Sequence, residues 1–266
     1  EAFSEILNDQ KFVEEMKIWL LKNKQVQDWK TSIATAKGVY ALLMRGDNLL
    51  KSDELVTINI AGENFLPAKK DELEIEAGTG YFKNVWLKEN ITPSLGEIEI
   101  SNPNKNIAWG GLYYQYFEQL DKIEEHQTEL QVKKEYFIER ITDLGPVLES
   151  IQDKKITVGD LVKVRIEIRV DRDMDFIHLK DMRGAGFEPV NVLSQTKYQG
   201  GLIYYESTKD ASTNFFFQRV PKGTYVFEYQ LRAAHKGNFS LGIATLQSLY
   251  APEYSGHTDG GKITIE

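Results

Sequence analysis

The chain has 266 residues, 41% of them hydrophobic and 27% charged, which is enough for two compact domains or three small ones. Lys and Arg number 32 and Asp and Glu number 40, so the formal net charge is −8, and this balance argues against non-specific binding to nucleic acid. Cysteine is absent, which excludes disulfides, thiolate zinc sites and a cysteine nucleophile from this chain.

Two helices are predicted in the first 50 residues. The first carries an apolar stripe at helical spacing, made of Phe12, Met16, Trp19 and Leu20. The second carries a similar stripe of Ile33, Ala36, Tyr40 and Leu43. Thr31 and Ser32 are cap candidates for the second helix, and residues 46–48 supply its stop signal. Because a pair of short helices is marginal alone, we expect a remnant of a larger helical domain that packs its stripe against a partner.

The first residues do not resemble a signal peptide, and no apolar run reaches the ~20 residues that span a membrane. Either the protein is cytosolic or the chain is a mature or excised segment, and the helical pattern that begins almost at once favours the second alternative.

From about residue 53, apolar residues alternate with polar ones, which is typical of half-buried antiparallel strands. The alternating runs lie near 56–60, 73–76 and 97–100, and turn residues separate them. Residues 107–117 form a more continuous apolar and aromatic run, which predicts a strand buried on both faces. Residues 121–130 are polar and charged, and we interpret them as a connection.

The last third has the clearest pattern. Apolar residues alternate with charged ones at Val162, Val164, Ile166, Ile168 and Val170. The alternation recurs at 225–231 and 263–265, with turn residues between the runs. Short strands at this spacing, without intervening helices, predict a β-sandwich. The predicted fold class is mainly β, with two antiparallel sandwich-type domains after an N-terminal α-hairpin.

Asp171, Asp173 and Asp175 form a D-x-D-x-D run that superficially resembles a calcium loop. Phe176 replaces the glycine that an EF-hand needs at its sixth position, and Met182 stands where its glutamate is needed. We interpret the run as an acidic strand edge. The four histidines have no metal-ligand spacing to one another, and we interpret them as surface or core residues: His126, His178, His235 and His257. We expect no metal and no cofactor.

Catalytic patterns are also weak. Residues 183–186 (Arg-Gly-Ala-Gly) lack the Lys-Ser/Thr and the helix of a phosphate cradle, so a turn explains them better. Glu74 and Glu97 are candidates for a glycosidase pair. Because both alternate with isoleucines, we interpret them as solvent-facing residues instead. No G-x-S-x-G nucleophile motif occurs. We expect no enzymatic activity.

Five phrases resemble, in this order, the C-terminal macroglobulin-like domain of bacterial α2-macroglobulin family proteins. They are Val170-Asp171-Arg172-Asp173, Gly186-Phe187-Glu188-Pro189, the run 210–216 (Asp-Ala-Ser-Thr-Asn-Phe-Phe), the run 221–225 (Pro-Lys-Gly-Thr-Tyr) and Tyr250-Ala251-Pro252-Glu253. The resemblance implies this receptor-binding-type sandwich at 148–266.

The earlier part of the chain resembles the same family. Trp19-Leu20-Leu21, the run 25–29 (Gln-Val-Gln-Asp-Trp) and Thr35-Ala36 are similar to the last helices of its thioester domain, an α/α toroid, which implies that origin for residues 1–50. Residues 51–147, with Ile107-Ala108-Trp109-Gly110, stand where the second part of a CUB-like domain and a connection are implied.

The resemblance implies that the parent is a periplasmic or cell-envelope protease trap, of a family that is often lipid-anchored, in which bait cleavage lets a cysteine–glutamine thioester attach to a target protease. The thioester motif is absent from this chain. Tyr250 matches a tyrosine that shields the thioester, and Leu249 stands where relatives commonly have methionine. The implied partners are the parent's thioester domain and target proteases. The alternative is a β-sandwich binding or adhesion module of a cell-envelope protein; a carbohydrate-active enzyme has little support.

Overall fold

The structure is a computed structural model that describes residues 2–22, 29, 31–44, 56–65, 74–76, 81–103, 110–151 and 155–266. The described residues fall into two compact units, divided between Leu112 and Tyr113. Each unit is considered by itself. Among the described helices, none is long and apolar enough to cross a membrane.

The first unit begins with three helices, α1 (Ala2–Glu5), α2 (Gln10–Lys22) and α3 (Ser32–Met44). The two predicted helices are thus confirmed. Thr31 caps α3, because its hydroxyl accepts a hydrogen bond from Ala34 N at 3.1 Å. The predicted stop at 46–48 lies outside the described residues.

The predicted apolar stripes do not form the interior of this unit. Trp19 is 64% exposed and Ile33 is 71% exposed, whereas Val13 of α2 is buried. Helical spacing identified the helices, but two helices of 13 residues each have too little facing surface to bury a full stripe.

Five short strands follow in the first unit: β1 (Thr57–Ile60), β2 (Glu63–Phe65), β3 (Glu74–Glu76), β4 (Tyr81–Lys83) and β5 (Ile98–Ser101). They form an antiparallel sheet in the order β2-β1-β5 and a separate hairpin of β3 and β4. Ala61 and Gly62 join β1 to β2 with φ of 56° and 78°, the positive values of a tight hairpin turn. The predicted alternating runs are therefore strands.

The predicted buried strand at 107–117 is wrong for residues 110–117, and its first residues lie in the undescribed stretch 104–109. Residues 110–117 are not in a strand, and their large side chains are exposed, up to the fully exposed Phe117. An apolar run supplies side chains but not the hydrogen-bonding neighbour that a strand requires.

The second unit contains the remaining strands. They are β6 (Leu130–Thr142), β7 (Gly145–Ser150), β8 (Leu161–Val170), β9 (Met174–Met182), β10 (Phe187–Pro189), β11 (Gln195–Gln199), β12 (Leu202–Thr208), β13 (Ser212–Val220), β14 (Gly223–Ala233), β15 (Gly237–Leu241), β16 (Ala244–Ser248), β17 (Ser255–His257) and β18 (Gly261–Ile265). One sheet has the order β10-β14-β8-β6-β7 and the other β11-β12-β13-β9-β16-β17, while β15 pairs with β18. All of these pairings are antiparallel, which confirms the predicted fold class.

The core of the second unit lies between its two large sheets. The alternation predicted for β8 is confirmed, because the five apolar residues from Val162 to Val170 are all at most 2% exposed. Phe215 and Phe217 of β13 meet Phe227 of β14 with ring centroids 5.0 and 5.9 Å apart. Aromatic side chains from both sheets therefore fill the centre of the sandwich.

The sandwich begins before the boundary expected at residue 148. β6 pairs with β8 from Leu130 to Ile138, and β7 pairs with β6, so both belong to the five-stranded sheet. The connection at 121–130 also packs on the sandwich, because Gly260 N donates to Ile123 O at 2.8 Å and Lys262 pairs with Asp121 at 2.9 Å. Assignment of the earlier residues to a toroid and a CUB-like domain stays a prediction.

Candidate functional site

The loop predicted to shield a thioester joins β16 to β17. Ser248 N donates to Tyr254 O at 3.0 Å, and Tyr254 N donates to Ala251 O at 2.9 Å, so the chain closes on itself within a few residues. Ala251 is 4% exposed and anchors the loop against the sandwich. The loop is therefore held by its own backbone hydrogen bonds and by one buried methyl group.

Leu249 and Tyr250 are the large apolar side chains that this loop exposes. Leu249 is 51% exposed and Tyr250 is 58% exposed. Their neighbours in β16 alternate between the core and the solvent, and Leu246 is fully buried. The sandwich thus presents two adjacent apolar side chains at a fixed position, where a docking partner would remove them from water.

Phe176 of β9 completes this apolar group. Its ring lies 5.2 Å from the ring of Tyr250 at an interplanar angle of 86°, an edge-to-face pair. Its carbonyl oxygen accepts a hydrogen bond from Leu249 N at 3.0 Å. Phe176 has φ of +54°, and such a left-handed conformation costs a bulky residue about 1–3 kcal/mol. We name Phe176, Leu249 and Tyr250 the apolar cap.

The acidic run Asp171–Asp175, which leads into β9, is connected to the loop that carries this cap. The guanidinium of Arg172 lies 5.3 Å from the ring of Tyr254, the last residue of the loop. Arg172 also donates to both carboxylate oxygens of Asp171, at 2.8 and 2.9 Å. These hydrogen bonds hold the pKa of Asp171 below its ordinary value, although its partial burial opposes the shift. Arg172 therefore links the acidic run to the loop.

In the predicted acidic edge, Asp173 is paired with a cation of β13 and with a backbone amide of the turn that follows it. Asp173 accepts from Arg219 at 2.7 Å and from the backbone of Lys222 at 3.0 Å. Within the part of the chain that the structure describes, no three metal-ligating side chains are grouped closely enough to hold an ion.

The histidines occupy three separate places. His126 and His257 exchange two backbone hydrogen bonds of 3.0 and 2.7 Å, and their rings lie 5.9 Å apart. His178 stacks on Phe216 with ring centroids 4.6 Å apart. His235 lies after β14, where its backbone N donates to Gly186 O at 3.2 Å. Only His126 and His257 are brought together, as part of the packing of the connection.

The other candidates of the sequence belong to other elements of the fold. Residues 183–186 form the turn between β9 and β10, where a Cβ on Gly186 would come within 2.5 Å of the Phe239 ring. Glu74 is in β3 and Glu97 precedes β5, which belongs to a different sheet. The predicted turn is confirmed, and close packing explains its second glycine.

The loop and its exposed apolar side chains thus belong to an antiparallel β-sandwich domain. Residues 130–253, which include Leu249 and Tyr250, match the family model of the bacterial α2-macroglobulin MG10 domain. This segment is therefore similar to the C-terminal part of bacterial α2-macroglobulins, and the predicted resemblance is confirmed.

Three curated proteins are similar to this chain. The α2-macroglobulin homologue of Nostoc is 29% identical over 43% of this chain, and the α2-macroglobulin of Rickettsia conorii is 25% identical over 74% of it. The circularly permutated Ras protein 2 of Dictyostelium discoideum is 23% identical over 78% of this chain. The matches span only 6%, 11% and 5% of those proteins, respectively.

Solved structures of bacterial α2-macroglobulins also align with the chain. One is the Escherichia coli protein activated by porcine elastase, which is 17% identical, covers 54% of this chain and 14% of that chain, and has a TM-score of 0.44.

The chemistry available at the apolar cap is contact and exclusion of water. Phe176 and Leu249 carry no titratable group, and the phenol of Tyr250 is exposed. In the sequence, Phe176 stands out only because it replaces the glycine that a calcium loop needs at its sixth position. The visible signal was a large aromatic residue within an otherwise acidic run.

Proposed function

We propose that this chain is a non-catalytic part of a bacterial protease trap, an endopeptidase inhibitor, whose last domain docks on the thioester domain of the parent protein. In this proposal Leu249 and Tyr250 cover the thioester and shield it from water. The supporting observation is that two adjacent apolar side chains are held outward by a loop within the segment that matches the MG10 family model.

The physical argument is that exposed apolar side chains gain free energy when a partner covers them. Complete burial of a side chain of this size contributes about 1.5–3 kcal/mol. A reactive acyl group benefits from the same contact, since a cover that excludes water also excludes hydrolysis. A loop fixed by Ala251 and by backbone hydrogen bonds does not have to be ordered again when it docks.

The proposed function also implies a compartment and partners for the parent protein. We place the parent in the periplasm or cell envelope, as the bacterial family suggests, with target proteases as its external partners. Neither a cofactor nor nucleic acid has a role. Because this chain has no cysteine, the thioester belongs to another part of the parent.

The first experiment measures the reaction of the parent protein with methylamine, followed by the thiol that is released. Tyr250→Ala is expected to accelerate this release about tenfold, the factor that corresponds to ~1.4 kcal/mol of lost apolar contact. Tyr198→Ala is the matched control, because Tyr198 is 74% exposed on the edge strand β11. Equal rates for the wild type and Tyr250→Ala, with the thioester shown intact, would refute shielding.

A second experiment separates the trap from the adhesion module. The parent is incubated with trypsin, and the remaining activity is measured on a large protein substrate and on a small peptide substrate. If the parent is a trap, trypsin loses activity on the protein substrate and keeps its activity on the peptide substrate. Full trypsin activity on both substrates, with the parent cleaved, would favour the binding or adhesion module.

A further inference from the structure

We infer that Phe176 is a positioning residue of the loop: it fixes the ring of Tyr250 and forms one surface with Leu249 and Tyr250. This inference rests on the proposed function for its purpose, but not for its geometry. Phe176 comes from β9, and the two loop residues follow β16, so the surface joins two neighbouring strands of one sheet.

Two independent contacts carry the inference. The ring of Phe176 meets the Tyr250 ring edge to face at 5.2 Å, and the carbonyl of Phe176 accepts from Leu249 N at 3.0 Å. One residue thus holds the side chain of Tyr250 and the backbone of Leu249 together. The ring of Phe176 is itself 40% exposed, so it borders the surface that a partner would cover.

The backbone of Phe176 supports a specific role for this residue. The regular pairs Phe217↔Ile177 and Arg219↔Asp175 flank it on both sides, yet φ at Phe176 is +54°. Asparagine adopts this conformation more readily than phenylalanine does. The left-handed backbone conformation therefore disfavours phenylalanine at this position. The ring contact with Tyr250 supplies a reason for its presence.

The test compares Phe176→Asn, Phe176→Tyr and the control Phe216→Asn in the 266-residue chain. Phe216 is also 40% exposed, but its ring stacks on His178. Two quantities are measured: the proton shifts of the Tyr250 ring in ¹³C-tyrosine-labelled protein, and the rate of chymotryptic cleavage after Leu249 and Tyr250.

Phe176→Asn is expected to remove the ring-current shift of Tyr250 and to raise loop cleavage about two- to tenfold. Its melting temperature is expected to stay the same or rise, because asparagine relieves the backbone strain; a residue that merely stabilised the fold would lower it. Phe176→Tyr should restore both loop measurements, and Phe216→Asn should change neither. If Phe176→Asn fails to fold, Phe176→Leu gives the same test of the ring-current shift.

Unchanged Tyr250 shifts and unchanged cleavage in Phe176→Asn would overturn the inference. Its failure is distinguishable from failure of the shielding proposal, because methylamine reactivity of the parent depends on Tyr250→Ala and not on this comparison. If Tyr250→Ala accelerates the amine reaction while Phe176→Asn leaves the loop unchanged, shielding holds and positioning by Phe176 is wrong. If Phe176→Asn frees the loop and Tyr250→Ala leaves amine reactivity unchanged, positioning holds and shielding is wrong.

Discussion

Lys134 and Asp181 form an ion pair in the middle of the sandwich, where they link its two sheets. Lys134 comes from β6 of the five-stranded sheet and Asp181 from β9 of the six-stranded sheet, and their side chains are 3% and 0% exposed. The ammonium also donates to Met182 O and Gly242 O, each at 2.9 Å. Tyr229 of β14 donates its hydroxyl to the second carboxylate oxygen of Asp181. The donors and acceptors of this pair are therefore satisfied by elements from both sheets.

The charge state of this cluster follows from its surroundings. Burial is the largest single effect and acts to lower the pKa of Lys134, but the charges and hydrogen bonds of Asp181 and Tyr136 together outweigh it and hold the pKa of the ammonium above its ordinary value. Burial raises the pKa of Tyr229 well above its ordinary value, so its hydroxyl stays a neutral donor. A charged lysine thus occupies a core position at neutral pH.

Lys134→Met is expected to destabilise the sandwich by about 3–5 kcal/mol, since it leaves the carboxylate of Asp181 buried without its counter-charge. The four tryptophans, Trp19, Trp29, Trp86 and Trp109, all precede residue 113 in the sequence, so none lies in a strand of this unit. Hydrogen exchange of β6 and β9 amides in urea is the appropriate measurement.

The control for this prediction is Lys155→Met, which removes an 80% exposed lysine that pairs with Glu266. Exposed pairs contribute at most about 1 kcal/mol. The double variant Lys134→Met/Asp181→Leu should recover part of the loss, while Tyr229 and the two carbonyls still lack partners. Equal protection in Lys134→Met and Lys155→Met would show that the buried pair does not hold the sheets together.

This ion pair is also a feature that the local sequence pattern does not predict. In β6 the inward positions alternate, with Leu130, Val132 and Ile138 buried, but the lysine at 134 interrupts the apolar pattern. Its partner lies 47 residues away, so local alternation cannot reveal why a lysine is tolerated. No strand is predicted from the sequence at 130–142, whereas the alternation of β8, which has no such interruption, is confirmed.

The candidate site shows the same limit. Leu249 and Tyr250 were identified by resemblance, because two apolar residues after a strand look like any sandwich edge. Their exposure depends on the burial of Ala251 and on hydrogen bonds that the sequence does not display. Phe176 was missed because a positive φ and a ring contact between separate strands leave no local pattern.

Asp160→Asn tests the pH dependence of stability. The carboxylate of Asp160 accepts from Thr157 N at 2.9 Å and from Arg140 at 2.7 Å. Burial alone would raise the pKa of Asp160, but these hydrogen bonds outweigh it and lower the pKa. The stabilisation is therefore complete above the unfolded-state value of about 4 and is lost as the pH falls through the lower folded-state value.

Asp160→Asn should reduce the free energy of unfolding by about 1 kcal/mol at pH 7, discounted because Arg140 is 43% exposed. The difference from the wild type should shrink as the pH falls below 4, which urea unfolding followed by far-UV circular dichroism at pH 7, 5 and 3 would measure. Asp143→Asn, on the exposed β6–β7 turn, is the control. A difference that grows towards acid would contradict the assignment.

Gly260→Ala tests the packing of the connection on the sandwich. A Cβ at this position would lie 1.6 Å from Leu120 O, so the backbone near residue 120 has to move. We expect a loss of about 1–3 kcal/mol and faster exchange of the Gly260 amide, which donates to Ile123 O. Gly110→Ala is the control, since a Cβ there meets nothing within 4 Å. An unchanged exchange rate of the Gly260 amide would show that this contact does not hold the connection on the sandwich.

Tyr250→Ala should leave the stability of the 266-residue chain nearly unchanged, although it removes a large aromatic side chain. The ring is 58% exposed, and its edge-to-face contact with Phe176 contributes only about 0.5–1.5 kcal/mol. Phe227→Ala, by contrast, empties a core position that is 1% exposed and should cost about 3–5 kcal/mol. Hydrogen exchange of sandwich amides measures both variants. If Tyr250→Ala were as damaging as Phe227→Ala, Tyr250 would be a structural residue, and the amine reactivity of its variants would report unfolding rather than the loss of a cover.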